Sequence, residues 1–461
     1  MSTSTPTPTR TPLRDELRAL HTLALPLVAS QLGSQLLSFV DSVMVGRLGA
    51  VSLGAVGIGN SIFFSATIVG IGCLFGMDPL TSQALGAGER GRARRVLQDG
   101  LRLATWLSLP LMLAVVLSSY VLTLAGVNPN TAHEVQRYLI GRAPNTWPLL
   151  LFIAARSYLQ AHQRTRPIIV ATVLANVVNF IGNALLIYGD DALVRVGLGR
   201  IGLPALGIFG AGLSSTLASA AAVVVLWLAI RDLDTPEVHA AAATAEPLGR
   251  AILRLGVPLG LQLAAEVGLF AVASVLAGRI SAQAAAAHSV AITLASCTFT
   301  VTVGIGAATS VRVGHFVGRD DTPGARRAGL TGLIASAAFM SLSALVFIFA
   351  PTPLARVVTD DLTVVHAAIP LLAIAAVFQL SDGTQAVASG ALRGAGDTRA
   401  SFIANVLGHW LIGLPVAIGL GFGAHMGAPG LWWGLSAGLT VVAIALTARF
   451  LHISARPIVR V

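Results

Sequence analysis

The most regular feature of the chain is a series of long apolar stretches separated by short polar segments. A helix needs about 20 apolar residues to cross the hydrocarbon core of a membrane, and the chain contains twelve such stretches. Strands of a membrane barrel would alternate over about ten residues, whereas these stretches are longer and rich in Ala, Leu and Gly. The pattern predicts an all-α integral membrane protein with twelve transmembrane helices. The predicted spans are 22–46, 52–77, 97–125, 137–160, 167–189, 205–230, 251–278, 285–310, 328–350, 364–391, 402–422 and 428–451.

The composition agrees with a membrane protein and excludes a soluble one. Of the 461 residues, 55% are hydrophobic and only 11% are charged, whereas soluble proteins carry about 25% charged residues. The formal net charge of +10 comes from 30 basic residues, all of them arginine. The arginines cluster in the loops after spans 2, 4, 8 and 10, which indicates retention of these loops in the cytoplasm and not a nucleic-acid surface. We therefore expect a multi-pass protein of the cytoplasmic membrane with both termini in the cytoplasm.

The two halves of the chain repeat each other. At an offset of 232 residues, Pro26 aligns with Pro258 and Gly72 aligns with Gly304. Because each half has an even number of spans, the halves keep the same orientation and form two parallel lobes around a central cleft, a transporter design. Pro26 and Pro258 are candidate hinges. The predicted domains are a disordered cytoplasmic tail at 1–20, an N-lobe at 21–230, a cytoplasmic linker at 231–250, a C-lobe at 251–452 and a cytoplasmic tail at 453–461.

Acidic side chains deep in the spans are the main candidates for function, because a charge at the bilayer centre costs a few kcal/mol. These are Asp41 in span 1, Glu266 in span 7 and Asp382 in span 10. Helical spacing places amides beside them, namely Gln262, Gln379 and Gln385, and an amide ladder on span 5, namely Asn176, Asn179 and Asn183. Such oxygen-rich groups suit a hard monovalent cation or a proton relay. Interhelical hydrogen bonding is the alternative for the ladder.

Four other charged residues lie near span ends, where snorkelling towards the membrane surface explains them. They are Asp78, Arg156, Arg312 and Arg393.

Several classes of chemistry are excluded. The chain has no Walker A motif and no HExxH motif, so ATP hydrolysis and enzymatic activity are not expected. No metal site is expected beyond a possible Na⁺ site, and no cofactor beyond a coupling ion. Transport would then use an ion gradient or be passive.

Four segments together resemble the MATE (multidrug and toxic compound extrusion) family, in particular its NorM-like branch. They are PLVASQLGSQLLSFVDSVMVGRLG (26–49), GMDPLTSQALGAG (76–88), RSYLQ (156–160) and QAVASGALRGAGDT (385–398). The resemblance extends over about residues 20–450. It implies a V-shaped twelve-helix fold and the export of amphipathic, often cationic organic compounds in exchange for Na⁺ or H⁺.

The resemblance also assigns roles to residues of both lobes. In the C-lobe it implies a coupling site at Glu266 and Asp382, with Gln262 and Phe378 beside them; some relatives have Tyr at the position of Phe378. In the N-lobe it implies a coupling site formed by Asp41, Asn179, Asn183 and Thr216. Asp360 and Asp361 resemble an acidic pair that draws cations to the outer mouth of the cleft.

Other functions fit the sequence less well than ion-coupled export. A lipid-linked oligosaccharide flippase of the same superfamily would need a wider cationic cleft, and a narrow-substrate metabolite exporter would share the architecture. A receptor or an assembly scaffold would leave the three deep acids without a role. We expect a monomer whose partners are small organic substrates and the lipid bilayer. The residues leave open both the coupling ion, Na⁺ or H⁺, and the identity of the substrate.

Overall fold

A computed structural model describes residues 13–124, 126–195, 197–233 and 235–461, and all regular secondary structure in these ranges is helical. The helices of the first half are α1 (Leu13–Gly46), α2 (Ala50–Leu74), α3 (Met77–Gly86), α4 (Arg90–Leu124), α5 (Pro129–Arg142), α6 (Thr146–Ala161), α7 (Arg166–Tyr188), α8 (Asp190–Arg195) and α9 (Ile208–Arg231). A short helix, α10 (Pro236–Thr244), follows. The helices of the second half are α11 (Gly249–Ile280), α12 (Ala282–Gly318), α13 (Thr322–Phe349), α14 (Pro351–Val358), α15 (Leu362–Ala395), α16 (Thr398–Val406), α17 (Leu414–Ile418) and α18 (Ala428–Ile453).

The predicted all-helical membrane fold is confirmed, with one interrupted span. Within the described residues, 11 helical segments are long and apolar enough to cross a membrane. The remaining predicted span, 137–160, is divided into α5 and α6 by a 3₁₀ turn at Ala143–Asn145. The turn contains Pro144, which has no backbone N–H to donate and disfavours a continuous α-helix. The break places polar side chains at the end of α5 and the start of α6 inside the N-lobe.

One predicted boundary needs correction, and two other predicted segments contain further helical detail. Residues 13–20, predicted as part of a disordered tail, form the first turns of α1, where buried Glu16 is paired with an arginine of the second half; residues 1–12 of that tail lie outside the described range. The predicted linker at 231–250 contains α10, which the Thr235 side chain caps. The span predicted at 402–422 lies in one continuous helical segment, Thr398–Gly423, which includes π-helical turns at 407–413 and 419–423.

The two halves of the chain contact each other at one end of the helix bundle. We call the end that holds the start of α1 and the end of α18 the basal end. There α2 crosses α11, α3 and α1 pack on α12, and α3 contacts α15. The closest approach involves glycines, because a Cβ built on Gly256 would lie 1.8 Å from the Cys73 carbonyl oxygen. The backbones of the two lobes thus touch directly near the basal end.

Candidate functional site

The C-lobe places two acids in one polar cluster. Glu266 on α11 is partly buried and accepts a short hydrogen bond from Nε2 of Gln385 on α15. Asp382, one turn before Gln385, is 8% exposed and close enough for its charge to interact with that of Glu266. In the described part of the chain, no arginine or histidine forms an ion pair with either carboxylate. The cluster therefore holds two acids and no basic partner.

Amide groups with unused hydrogen-bonding capacity surround these acids. Gln262, one turn before Glu266, donates to Oγ of Ser389 at 3.4 Å, and its Oε1 is buried without a partner. The side-chain oxygens of Gln379 and Asn405 are also buried and unpartnered. Buried polar groups are normally satisfied, so these oxygens indicate a site that can bind a small cation or water. Oxygen atoms of this kind suit a hard cation.

Phe378 lies in an aromatic cluster of the C-lobe core. Its ring centroid is 5.5 Å from that of Trp432 and 6.3 Å from that of Phe270, both in edge-to-face geometry. Phe378 is 2% exposed. The ring therefore supports the packing of α15 against α11 and α18, and its predicted contact with a coupling ion stays a prediction.

The N-lobe encloses Asp41 completely. Oδ1 of Asp41 accepts from Nδ2 of Asn179 at 2.9 Å and from Nδ2 of Asn183 at 2.6 Å. Its Oδ2 accepts from the hydroxyl of Ser215 at 3.0 Å. Asp41 is 0% exposed. The structure thus brings together three of the four residues expected in the N-lobe. The fourth, Thr216, donates to the Gly212 carbonyl of its own helix at 3.2 Å, so Ser215 supplies the hydroxyl instead.

A buried arginine completes the Asp41 site and was not anticipated from the sequence. Arg142, the last residue of α5, lies with Nη1 at 3.5 Å from Oδ2 of Asp41. The same Nη1 donates to the Tyr138 hydroxyl at 2.5 Å and to Ser215 at 3.2 Å. An arginine five residues inside a predicted span was the available signal. Asp41 therefore already has a fixed cationic partner, unlike the acids of the C-lobe.

A cavity of about 450 Å³ lies in the N-lobe beside this ion pair. Arg142 is the one charged side chain among its lining residues in the described chain, and Asp41 does not reach its surface. Its other lining groups include amides and aromatic rings from α1, α2, α6 and α7. The volume lies within the range of about 300–1,000 Å³ that is typical of small-molecule sites. We call it the N-lobe cavity.

Ion pairs join the lobes at the basal end. Arg312 of α12 donates to both carboxylate oxygens of Glu16, at 2.9 and 2.5 Å. Arg393 of α15 lies 3.3 Å from Asp78 of α3, which also accepts from Ser157 at 2.6 Å. The interpretation of Asp78, Arg312 and Arg393 as snorkelling residues is therefore wrong, since these side chains face the other lobe.

Arg156 also faces inward, donating to Oε1 of Gln31 at 3.0 Å. The snorkelling interpretation is wrong for this residue as well. Asp78, Arg156 and Arg393 together line a small cavity of about 60 Å³ between the lobes. Charged groups that fit together between two rigid bodies can form a gate.

The remaining candidates lie outside these clusters. Asp360 and Asp361 are exposed in the segment before α15. Asp361 caps α15, because its Oδ1 accepts from the backbone N–H and the hydroxyl of Thr363 at 2.8 and 2.7 Å. These bonds hold the pKa of the Asp361 carboxyl below its usual value. Pro26 and Pro258 both lie within long helices, α1 and α11, in the region where the lobes meet.

Comparisons with known proteins agree with this architecture. The family profile described as MatE matches the chain twice, at residues 26–185 and 258–418, which confirms the internal repeat. The chain is 36% identical over 453 residues to "Probable multidrug resistance protein NorM" of Bradyrhizobium diazoefficiens, covering 96% of this chain and 95% of that protein. It is 35% identical to "Multidrug resistance protein NorM" of Burkholderia vietnamiensis, covering 93% and 92%.

Solved structures share the fold. The crystal structure of the eukaryotic MATE transporter AtDTX14 matches with a TM-score of 0.83 at 22% identity, covering 95% of this chain and 96% of that chain. The bent form of the Vibrio cholerae MATE transporter VcmN matches with a TM-score of 0.82 at 19% identity, covering 96% and 98%. The twelve-helix, two-lobe fold is thus that of these transporters. The chain belongs to the MATE family of membrane transporters.

Proposed function

We propose that this MATE transporter exports amphipathic organic compounds, cationic ones included, in exchange for Na⁺ or H⁺. The relatives that it resembles over nearly their whole length are called multidrug resistance proteins. The single chain contains both lobes and both acidic sites, which supports a monomer as the working unit. In this mechanism the two lobes rock about their contact, and the ion and the substrate bind on alternate sides of the membrane.

The C-lobe cluster carries the proposal. Glu266 and Asp382 lie together without a basic partner, and amide oxygens with no hydrogen bond surround them. An incoming Na⁺ would find two carboxylates and several oxygen ligands, and an incoming proton would relieve the repulsion between the acids. Asp41 is less suited to this role in the present conformation, because Arg142 already neutralises it.

The closed basal end supports assigning this conformation to one state of the transport cycle. The basal end is held shut by the Glu16–Arg312 and Asp78–Arg393 pairs and by the glycine crossing. The arginine-rich loops lie at this end, and the positive-inside rule assigns it to the cytoplasm. On this orientation the closed end of the cleft faces the cytoplasm, and we infer that the cleft opens to the outside. Coupling ions then reach Glu266 and Asp382 from outside, and their binding favours the change of state.

The experiment is transport in proteoliposomes loaded with ethidium. A Na⁺ gradient and a pH gradient are imposed separately, and dye fluorescence is followed against liposomes without protein. Dye movement that depends on one of the gradients is expected and identifies the coupling ion. Movement under neither gradient would contradict antiport and favour the narrow-substrate exporter or the flippase, which a fluorescent-lipid assay then separates.

A further inference from the structure

Another cavity, of about 360 Å³, lies at the basal end between the first turns of α11 and α16, and we call it the basal cavity. Three arginines line it, Arg254 of α11, Arg399 of α16 and Arg460 of the segment after α18. The Arg460 guanidinium is already paired with Asp320 and Glu89. Arg254 and Arg399 are exposed, and neither forms a hydrogen bond or an ion pair with any residue that the structure describes. The basal cavity therefore has two arginines with free donors.

The start of α16 adds further donors to this cavity. Asp397 precedes the first turn of α16 and does not cap it with its side chain, because its Oδ2 accepts from Nε of Arg449 at 2.7 Å. The first N–H groups of a helix have no partner inside the helix and attract anions. Thr398 lines the cavity, is 1% exposed, and its Oγ1 has no hydrogen-bond partner. Together with the arginines, these groups suit an anion with several oxygen atoms, such as a phosphate.

Exposed apolar side chains continue from the basal cavity along both helices. On α11, Val257 and Leu261 follow Arg254 at helical spacing, so all three lie on one face. Val257 is 40% exposed and Leu261 is 44% exposed. On α16, Ile403 lies one turn after Arg399 and is 55% exposed. Since α11 packs on α16, both apolar faces begin at the same cavity.

We infer that the basal cavity binds the headgroup of an anionic glycerophospholipid, with the acyl chains lying along the exposed apolar side chains of α11 and α16. Arg254 and Arg399 bond to the phosphate, and Thr398 and the first turn of α16 donate to its remaining oxygens. Basic pockets between transmembrane helices are suited to such headgroups. A soluble phosphate compound could use the same donors, but it has no chains to cover the apolar faces. The ligand is a lipid and not the transported substrate, so the inference does not rest on the export function.

Native mass spectrometry of the purified full-length protein in detergent micelles tests the inference. Dioleoyl phosphatidylglycerol and dioleoyl phosphatidylcholine have the same acyl chains, but phosphatidylglycerol carries a net negative charge and phosphatidylcholine does not. A titration with each lipid gives its Kd from the fraction of lipid-bound protein. We expect the wild type to bind phosphatidylglycerol about ten-fold more tightly, because arginines near a membrane surface attract anionic headgroups. Equal affinities for the two lipids overturn the inference.

Two double variants locate the binding. Arg254→Gln with Arg399→Gln removes the two unpaired arginines and should weaken phosphatidylglycerol binding about ten-fold, to the level of phosphatidylcholine. Arg164→Gln with Arg319→Gln is the matched control, because it removes two exposed arginines of the basal end that do not line the cavity. The control should keep the wild-type Kd. Equal losses of affinity in the two double variants would show that binding follows net charge, which contradicts a site in the basal cavity.

Two further measurements separate a lipid from a soluble phosphate compound. Isothermal titration calorimetry with glycerol phosphate should give binding about a hundred-fold weaker than that of phosphatidylglycerol, because the acyl chains add apolar contact. Glycerol phosphate that binds as tightly as the lipid would overturn the lipid inference. Thr398→Val removes the unpartnered hydroxyl at similar shape and should weaken phosphatidylglycerol binding about three-fold. An unchanged Kd in this variant contradicts the contact between Thr398 and the headgroup.

Discussion

The crossing of α2 and α11 offers a direct way to disturb the closed basal end. Among the described glycines, none would bring a Cβ closer to another atom than Gly256. In Gly256→Ala the new methyl carbon would lie 1.8 Å from the Cys73 carbonyl oxygen and 2.5 Å from its carbon. Ordinary contacts are 3.4–4 Å, so the crossing must open by more than an ångström. Both sides are backbone, and neither can move aside by changing a rotamer.

The cost follows from the kind of clash. Overpacking a tight contact costs about 1–3 kcal/mol, and we expect the upper part of this range because no side chain can yield. Opening the basal end removes the clash, so the cost applies to the present conformation and not to one with its lobes apart there. A difference of about 2 kcal/mol shifts the ratio of the two states about 30-fold.

Double electron–electron resonance measures this shift. Nitroxide labels at Val51 and Val357, both exposed at the end opposite the basal end, report the width of the cleft in a Cys297→Ser background. Gly256→Ala should add a population with a shorter distance between the labels. Gly278→Ala is the matched control, because a Cβ there meets nothing within 4 Å and should only favour the helix, by about 1 kcal/mol. A Gly256→Ala protein with the wild-type distance distribution and the wild-type melting temperature would refute the assignment of this crossing as the closed gate.

Three further predictions concern charged groups. Asp41→Asn leaves the buried guanidinium of Arg142 unpaired and should destabilise the protein by about 3–5 kcal/mol in thermal unfolding. Adding Arg142→Gln should recover part of this loss of stability. If the two substitutions instead destabilise additively, the two residues are not a coupled pair. Arg393→Gln removes an inter-lobe ion pair and should increase the reactivity of cysteines introduced at the basal end; unchanged labelling would show that the pair does not hold the gate. Thr363→Val removes one of the hydrogen bonds that lower the pKa of Asp361, so the pKa should rise in a carboxyl NMR titration. The pKa of Asp361 in the folded protein lies below its unfolded value. The stabilisation that the Asp361 cap provides is therefore complete above the usual carboxyl pKa and is lost as the pH falls through the pKa of the folded protein. In Thr363→Val this loss should occur at a higher pH.

The sequence was sufficient to predict the helices and most of the residues that form the polar clusters of the two lobes. Helices that span a membrane are long apolar stretches of sequence, and an acidic residue in the middle of such a stretch is easy to recognise. Asp41, Glu266 and Asp382 could therefore be chosen as candidate functional residues. Helical periodicity then placed Asn179 and Asn183 on one face, and the structure brings both to Asp41.

Other features depend on tertiary contacts that no local pattern contains. Ser215 and Thr216 are neighbours with similar hydroxyls, and only the packing of α9 decides which one reaches Asp41. Arg142 lies at the end of a helix whose break at 143–145 interrupts an otherwise ordinary span. Trp432 is 0% exposed and packs in the C-lobe core, and no local pattern distinguishes it from a tryptophan at the membrane surface.

In the proposed mechanism, ion coupling occurs at the C-lobe acids Glu266 and Asp382. The direct measurement is gradient-driven ethidium flux in proteoliposomes containing Glu266→Gln with Asp382→Asn, beside a surface control, Glu237→Gln with Asp191→Asn. Both double variants keep side-chain shape and should unfold at temperatures near that of the wild type. We predict that the C-lobe variant loses the dependence of flux on the Na⁺ or pH gradient, while the surface control keeps it. Gradient-driven flux that is unchanged in the folded C-lobe variant would contradict ion coupling at Glu266 and Asp382.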